Sequence, residues 1–139
     1  MSVKRVIYCS HATVSMENAL NLAELLGVSA RNNRRDDIKG VLAFSGGIFI
    51  QAIEGPQHAT DGLMTRLRSD ARHRDVKVLG EDRAVERAFP IWVMETPKMR
   101  PDHTALLNKI VGGCESSYGH ALKMMLELAR EHEDQKQRA

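Results

Sequence analysis

Apolar residues in the first half of the chain recur at a spacing of two. Val3 to Ser10 reads as a strand, with Val6 and Tyr8 on one face and Ile7 and Cys9 on the other. Gly40 to Pro56, GVLAFSGGIFIQAIEGP, holds two apolar runs around Ser45-Gly46-Gly47, which predicts a β-hairpin closed by a glycine turn. In its second run Ile48, Ile50 and Ala52 share one face, and Phe49, Gln51 and Ile53 share the other. Both faces are apolar except for one amide. A strand apolar on both faces is central in its sheet and covered on both sides. Gln51 is therefore expected to be buried, where an unpaired amide costs on the order of 1–3 kcal/mol. It needs a partner, either a neighbouring backbone group or a bound polar ligand.

Elsewhere the spacing is helical. Behind Ser15 as an N-cap, Met16, Ala19, Leu20, Ala23 and Leu26 fall on one helix face, and this helix ends near Asn32 or Asn33. Gly55-Pro56 stops the hairpin, and a second helix is predicted to about Ser69 with Leu63, Met64 and Leu67 inward. Strands are predicted over Val76 to Leu79 and over Ala88 to Glu95, the latter with Phe89, Ile91 and Val93 opposite Trp92 and Met94. The order is β-α-β-β-α-β-β. Its first six elements match the split βαβ pattern, so the expected class is α+β, ferredoxin-like, with an extra strand and two C-terminal helices.

Pro97 and Pro101 mark a change of character, which divides the chain into a unit over 1–97 and a helical extension over 98–139. Leu106, Leu107, Ile110 and Val111 suit a short helix ending at Gly112-Gly113, and Tyr118, Ala121, Leu122, Met125, Leu128 and Ala129 suit a longer one. The closing EHEDQKQRA reads as a charged, frayed end. The extension is expected to cap the free sheet face, to pair with a second chain, or both.

Composition narrows the function. Twenty basic residues stand against 18 acidic ones, a net charge of +2, which argues against a dedicated nucleic-acid binder. Arg31, Arg34 and Arg35 are followed at once by Asp36 and Asp37, which reads as a salted surface turn ahead of a site for a ligand's phosphates. Cys9 and Cys114 lie far apart without metal-type spacing, and Cys9 reads as a small buried hydrophobe. His11, His58, His103, His120 and His132 are scattered, so no metal site is expected. There is no phosphate-cradling glycine loop and no nucleophile–base pair, so the chain is not expected to be an enzyme. The first residues lack a signal-peptide apolar core and no run approaches the ~18 apolar residues of a membrane span, so the expected compartment is the cytoplasm.

Several short motifs then fall on the right elements. Tyr8 lies on the first strand. Arg31-Asn32-Asn33 ends the first helix, and Ile38-Lys39-Gly40-Val41-Leu42 follows. Next come Gly47 to Pro56, then Asp70-Ala71-Arg72-His73, then Phe89 and Trp92-Val93-Met94. Together, from Val3 to about Glu95, these resemble the BLUF domain, the flavin-binding sensor of blue light. Lys39 departs from the family's usual residue before the hairpin, and the loop after Tyr8 is about one residue longer than in some relatives.

The resemblance implies a non-covalently bound flavin, FAD with FMN as the alternative, lying between two helices over the sheet. It implies that Tyr8 and Gln51 are the photoactive pair, and that Asn33, Asn32, Ser29 and Arg72 contact the flavin. It implies that Trp92 and Met94 carry the signal outward. An isoalloxazine ring needs an apolar slot with polar groups at its edge, and Ile7, Ile38, Leu42, Phe49, Ile50 and Ile53 are candidate walls. In the family, Tyr8 would give an electron and then a proton to the excited flavin. Gln51 would be left rotated or tautomerised, and absorption would shift to the red. A chain of this length would signal through its C-terminal helices, by self-association or through a separate protein partner. The competing readings are a flavin oxidoreductase and a light-blind ferredoxin-like interaction domain, since fold alone does not fix function.

Overall fold

The structure is a computed structural model, which describes residues 3–12, 36–69, 73–89, 99–111 and 118–138. Strands β1 (Val3–Ala12), β2 (Lys39–Ser45), β3 (Ile48–Gly55) and β4 (His73–Ala84) form one four-stranded sheet in the order β2-β3-β1-β4. Every neighbouring pair is antiparallel. Helices α1 (Gln57–Ser69), α2 (Pro101–Val111) and α3 (Tyr118–Arg138) complete the described elements. This is the strand order of a ferredoxin-like α+β sheet, with β1 and β3 at its centre.

The hairpin forms where the glycines predict it. Gly46 and Gly47 have φ of 58° and 80°, a left-handed pair that fits a two-residue turn matching the strand twist. Ser45 then pairs with Ile48, and Phe44 with Phe49. The two phenyl rings meet with centroids 5.1 Å apart and planes tilted by 50°.

The pleat sorts the central strands onto two faces. Val6, Tyr8, Ile38 and Ile53 pack with Ala59 and Met64 on the α1 face, with Leu63 and Leu67 half-buried beside them. Ile7, Cys9, Val41, Ala43, Ile50 and Ala52 pack on the other face against Leu107, Ile110, Ala121, Met124, Met125 and Leu128 of α2 and α3. The C-terminal helices thus cap the face that α1 leaves open. Burial raises the Cys9 thiol above its usual pKa, in keeping with its place in this core.

Three expectations change. β4 runs over 12 residues, well past the predicted Val76 to Leu79. It is an edge strand whose Arg74, Lys77, Glu81 and Arg83 are exposed, so the apolar pattern shows only its middle. Helix α3 continues to Arg138, through the segment expected to fray. Ala88 and Phe89 are not in a strand. The rest of the strand predicted to Glu95, the first predicted helix and the Arg31, Arg34 and Arg35 cluster lie outside the described residues.

Gly80 shows why β4 carries a glycine in mid-strand. A Cβ there would stand 2.7 Å from Cγ and Cδ1 of Tyr118, so the absence of a side chain lets the first residue of α3 lie directly on the strand. Gly80→Ala is expected to displace the Tyr118 ring and destabilise the fold by about 1–3 kcal/mol. Urea unfolding of the two proteins side by side checks it, and an unchanged midpoint would contradict this packing.

Candidate functional site

Tyr8 and Gln51 are directly opposite one another in the β1–β3 register. Cross-strand neighbours have Cβ atoms about 4.5–5.5 Å apart, so their side chains rise side by side from the same face. That face carries α1. The Tyr8 hydroxyl donates a hydrogen bond to Gln51 Oε1. Tyr8 is fully buried and Gln51 is 5% exposed. Leu42 pairs with Gln51 from the other side and is itself buried. The partner that the sequence required for the amide is thus a side chain on the adjacent strand.

The bond orients the amide. With Oε1 turned to the phenol, the Gln51 NH2 group turns away from it. Among the described residues Tyr8 is the one hydrogen-bond partner of the Gln51 side chain. Two amide protons are therefore presented, under cover, to whatever occupies the space beside the pair. Such donors call for an acceptor.

The candidate walls divide. Ile38 and Ile53 pack on the α1 face, and Leu42 and Phe49 share the pleat parity of Gln51. Ile7 and Ile50 pack on the α2–α3 face and cannot line a slot beside Gln51. Their position follows from the period of two: each is an odd number of residues from the photoactive candidate on its own strand. Asn33, Asn32, Ser29, Arg72, Trp92 and Met94 lie outside the described residues.

A second polar cluster sits on the opposite face. Glu54 is fully buried, and Arg5 is 7% exposed. Arg5 Nε donates to Glu54 Oε2 at 2.8 Å, and Arg5 Nη1 donates to both carboxylate oxygens of Asp82 at 3.1 and 3.2 Å. Burial opposes the Arg5 charge, but the two acids outweigh it and hold the guanidinium above its usual pKa. The sequence signal for this cluster was present, since each central strand carries one charged residue in its apolar core-facing set. His103, unassigned from sequence, is also buried, with its ring within hydrogen-bond distance of Arg100 and Glu127. Among the described residues no group of three or more His, Cys, Asp or Glu could hold a metal ion, and no helix is long and apolar enough to cross a membrane.

The family profile described as "BLUF: Sensors of blue-light using FAD" matches residues 3–95. The chain belongs to the BLUF family. As a BLUF protein it is a flavin-using sensor of blue light. A photoactivated adenylate cyclase subunit beta-like protein of Euglena gracilis is 35% identical over 98 residues, which are 70% of this chain and 11% of that protein. The blue light- and temperature-regulated antirepressor BluF of Escherichia coli (strain K12) is 31% identical over 95 residues, 68% of this chain and 23% of that protein. The chain thus spans about a tenth of the cyclase relative and under a quarter of the antirepressor. Among solved structures, a bacterial light-regulated adenylyl cyclase superposes with a TM-score of 0.68 at 30% identity, over 80% of this chain and 34% of that one. The dark-state BLUF protein BlrB superposes with a TM-score of 0.71 over 91% of this chain and 94% of that one. At 23% identity it speaks to the fold alone.

The described residues fit a flavin. An isoalloxazine ring offers carbonyl oxygens and ring nitrogens as acceptors. The covered Gln51 amide offers donors with no protein acceptor among the described residues. Ile38, Leu42, Phe49 and Ile53 give the apolar surroundings that a flat aromatic ring requires.

Proposed function

We propose that the chain is a blue-light switch whose photoactive pair is Tyr8 and Gln51, with Asn33, Asn32, Ser29 and Arg72 as further flavin contacts. The single observation that carries this reading is the buried bond from the Tyr8 hydroxyl to Gln51 Oε1, which leaves the amide protons facing away from the phenol. Bound flavin supplies the absorption of blue light and the uptake of an electron from a nearby donor. Tyr8 is that donor. Its phenolic proton leaves along the existing bond to Gln51 Oε1, and electron and proton both return to Tyr8 on recombination, which restores the phenol and leaves Gln51 in a second arrangement. Gln51 is the element with two arrangements. In the first it presents NH2 away from Tyr8. In the second, reached by rotation or by tautomerisation, it presents a different hydrogen-bonding edge on each side. No substrate is consumed, and the chain itself is proposed to be a sensor without catalytic activity.

The proposed division of labour puts sensing in residues 1–97 and output in 98–139, with Trp92 and Met94 between them. Output passes to a second copy of the chain or to a separate protein partner. A groove of about 710 Å³ along α3, lined among others by Phe89, Leu122, Leu126 and Ala129, supports self-association. Its rim alternates in charge, Lys123, Glu127, Arg130 and Glu133, so that an antiparallel second helix sets opposite signs face to face.

An absorption spectrum of the purified protein, in the dark and just after a blue flash, tests the reading. A flavin band that moves to the red and recovers in darkness is expected. A bleaching or silent flavin band would overturn it. Particle size measured in the same two states tests the output: equal profiles would remove self-association from the account.

A further inference from the structure

The two faces of the central strands carry different polar groups. Tyr8 and Gln51 lie on the α1 face. Arg5 and Glu54, each an odd number of residues away on the same strands, lie on the face covered by α2 and α3. There Glu54, Arg5 and Asp82 are successive cross-strand neighbours on β3, β1 and β4: Arg5 pairs with Glu54 on one side and with Asp82 on the other.

This ladder reaches beyond the sheet at both ends. Glu54 Oε2 accepts the Ala88 N–H at 2.9 Å, and Oε1 accepts the Phe89 N–H at 2.6 Å. Phe89, 1% exposed, packs in the same core as Met124, Met125 and Leu128 of α3. At the far end the Tyr118 hydroxyl donates to Asp82 Oδ1 at 2.9 Å, and its ring lies against Gly80. Burial and the Asp82 carboxylate both keep that phenol protonated, well above the usual tyrosine pKa. It therefore acts as a donor throughout the physiological range. A nearby bond from Arg87 Nη1 to the Glu54 carbonyl, 3.1 Å, adds to the same junction.

Apolar contacts between a sheet and a helix are non-directional and can slide. Charge-assisted hydrogen bonds are directional and about twice as strong as neutral ones. Glu54 stands three residues from Gln51 on one strand, so among the described residues it is a directional link close to the photoactive pair on the output side. We infer that Glu54 is a positioning residue for signal output: its carboxylate ties Phe89 and, through Arg5, Asp82 and Tyr118, the first turn of α3 to the strand that carries Gln51. The inference rests on the photosensor reading above. The two arrangements are the ladder closed, with Tyr118 on Asp82, and the ladder open, with α3 released from β4.

The test uses the flavin-bound protein with Glu54→Gln and Tyr118→Phe. The light-induced red shift is read by absorption, and amide hydrogen exchange of peptides covering α3 is read in darkness and under blue light. Wild type is expected to show a light–dark difference in α3. Both variants are expected to keep the red shift while that difference falls about threefold or more, the range expected when a coupling element is removed. Variants that retain the wild-type difference would overturn the inference, as would a wild type that shifts without any change in α3. A wild type that does not shift would bring down the photosensor reading first, and this one with it. Tyr118→Phe removes a single hydroxyl, so it decides the matter if Glu54→Gln fails to fold.

Discussion

Leucine at position 51 is expected to leave the fold and the dark flavin band in place and to abolish the light-induced red shift. The substitution is close to isosteric and removes both the acceptor for Tyr8 and the outward amide donors. Its effect on stability is expected to be small, about 1 kcal/mol, since a buried amide is replaced by an apolar group while one phenol loses an acceptor. Its effect on function is expected to be complete, because leucine has only one hydrogen-bonding state, which is none. The light-minus-dark difference spectrum of Gln51→Leu checks this. A surviving shift of wild-type size would show that the switch lies elsewhere, whatever holds the flavin.

Glu54→Ala is expected to cause the largest loss of stability among single changes in the described core, about 3–5 kcal/mol, because it removes the buried partner of a buried guanidinium. Arg5 would keep Asp82 but lose its closest partner, the Nη2 to Glu54 Oε2 contact of 2.7 Å. The N–H groups of Ala88 and Phe89 would lose their acceptor in the same step. The alanine would also leave a void beside Phe89. Chemical unfolding in the dark measures the loss. A change under about 1 kcal/mol, the ordinary scale of surface substitutions, would mean that the carboxylate is dispensable to folding.

Much of this architecture is legible in the sequence because the sheet is two-sided. A central strand must be apolar on both faces, so Gln51 stands out in IFIQAIEG, and the glycine pair fixes the hairpin and with it the register. Tyr8 is placed opposite Gln51 only once β1 is known to pair with β3, which no local pattern states. The full length of β4 is illegible for a different reason. Its outward side chains are wet and charged, so hydrophobic alternation fades at both ends. The ladder of Glu54, Arg5 and Asp82 is hidden by the habit of reading charged residues as exposed, when a buried charge only needs partners brought from other strands. The wall residues Ile7 and Ile50 illustrate the opposite error: hydrophobicity marks burial but does not say on which side.

That alternation has a consequence for the length of β3. Nearby positions of β3 serve different layers: Gln51 lies on the α1 face and Glu54 on the α2–α3 face, with only Ala52 and Ile53 between them. Deleting or inserting one residue in that interval would turn the carboxylate to the α1 face and leave the Ala88 and Phe89 N–H groups without their acceptor. The number of residues between Gln51 and Glu54 thus decides which face each side chain occupies.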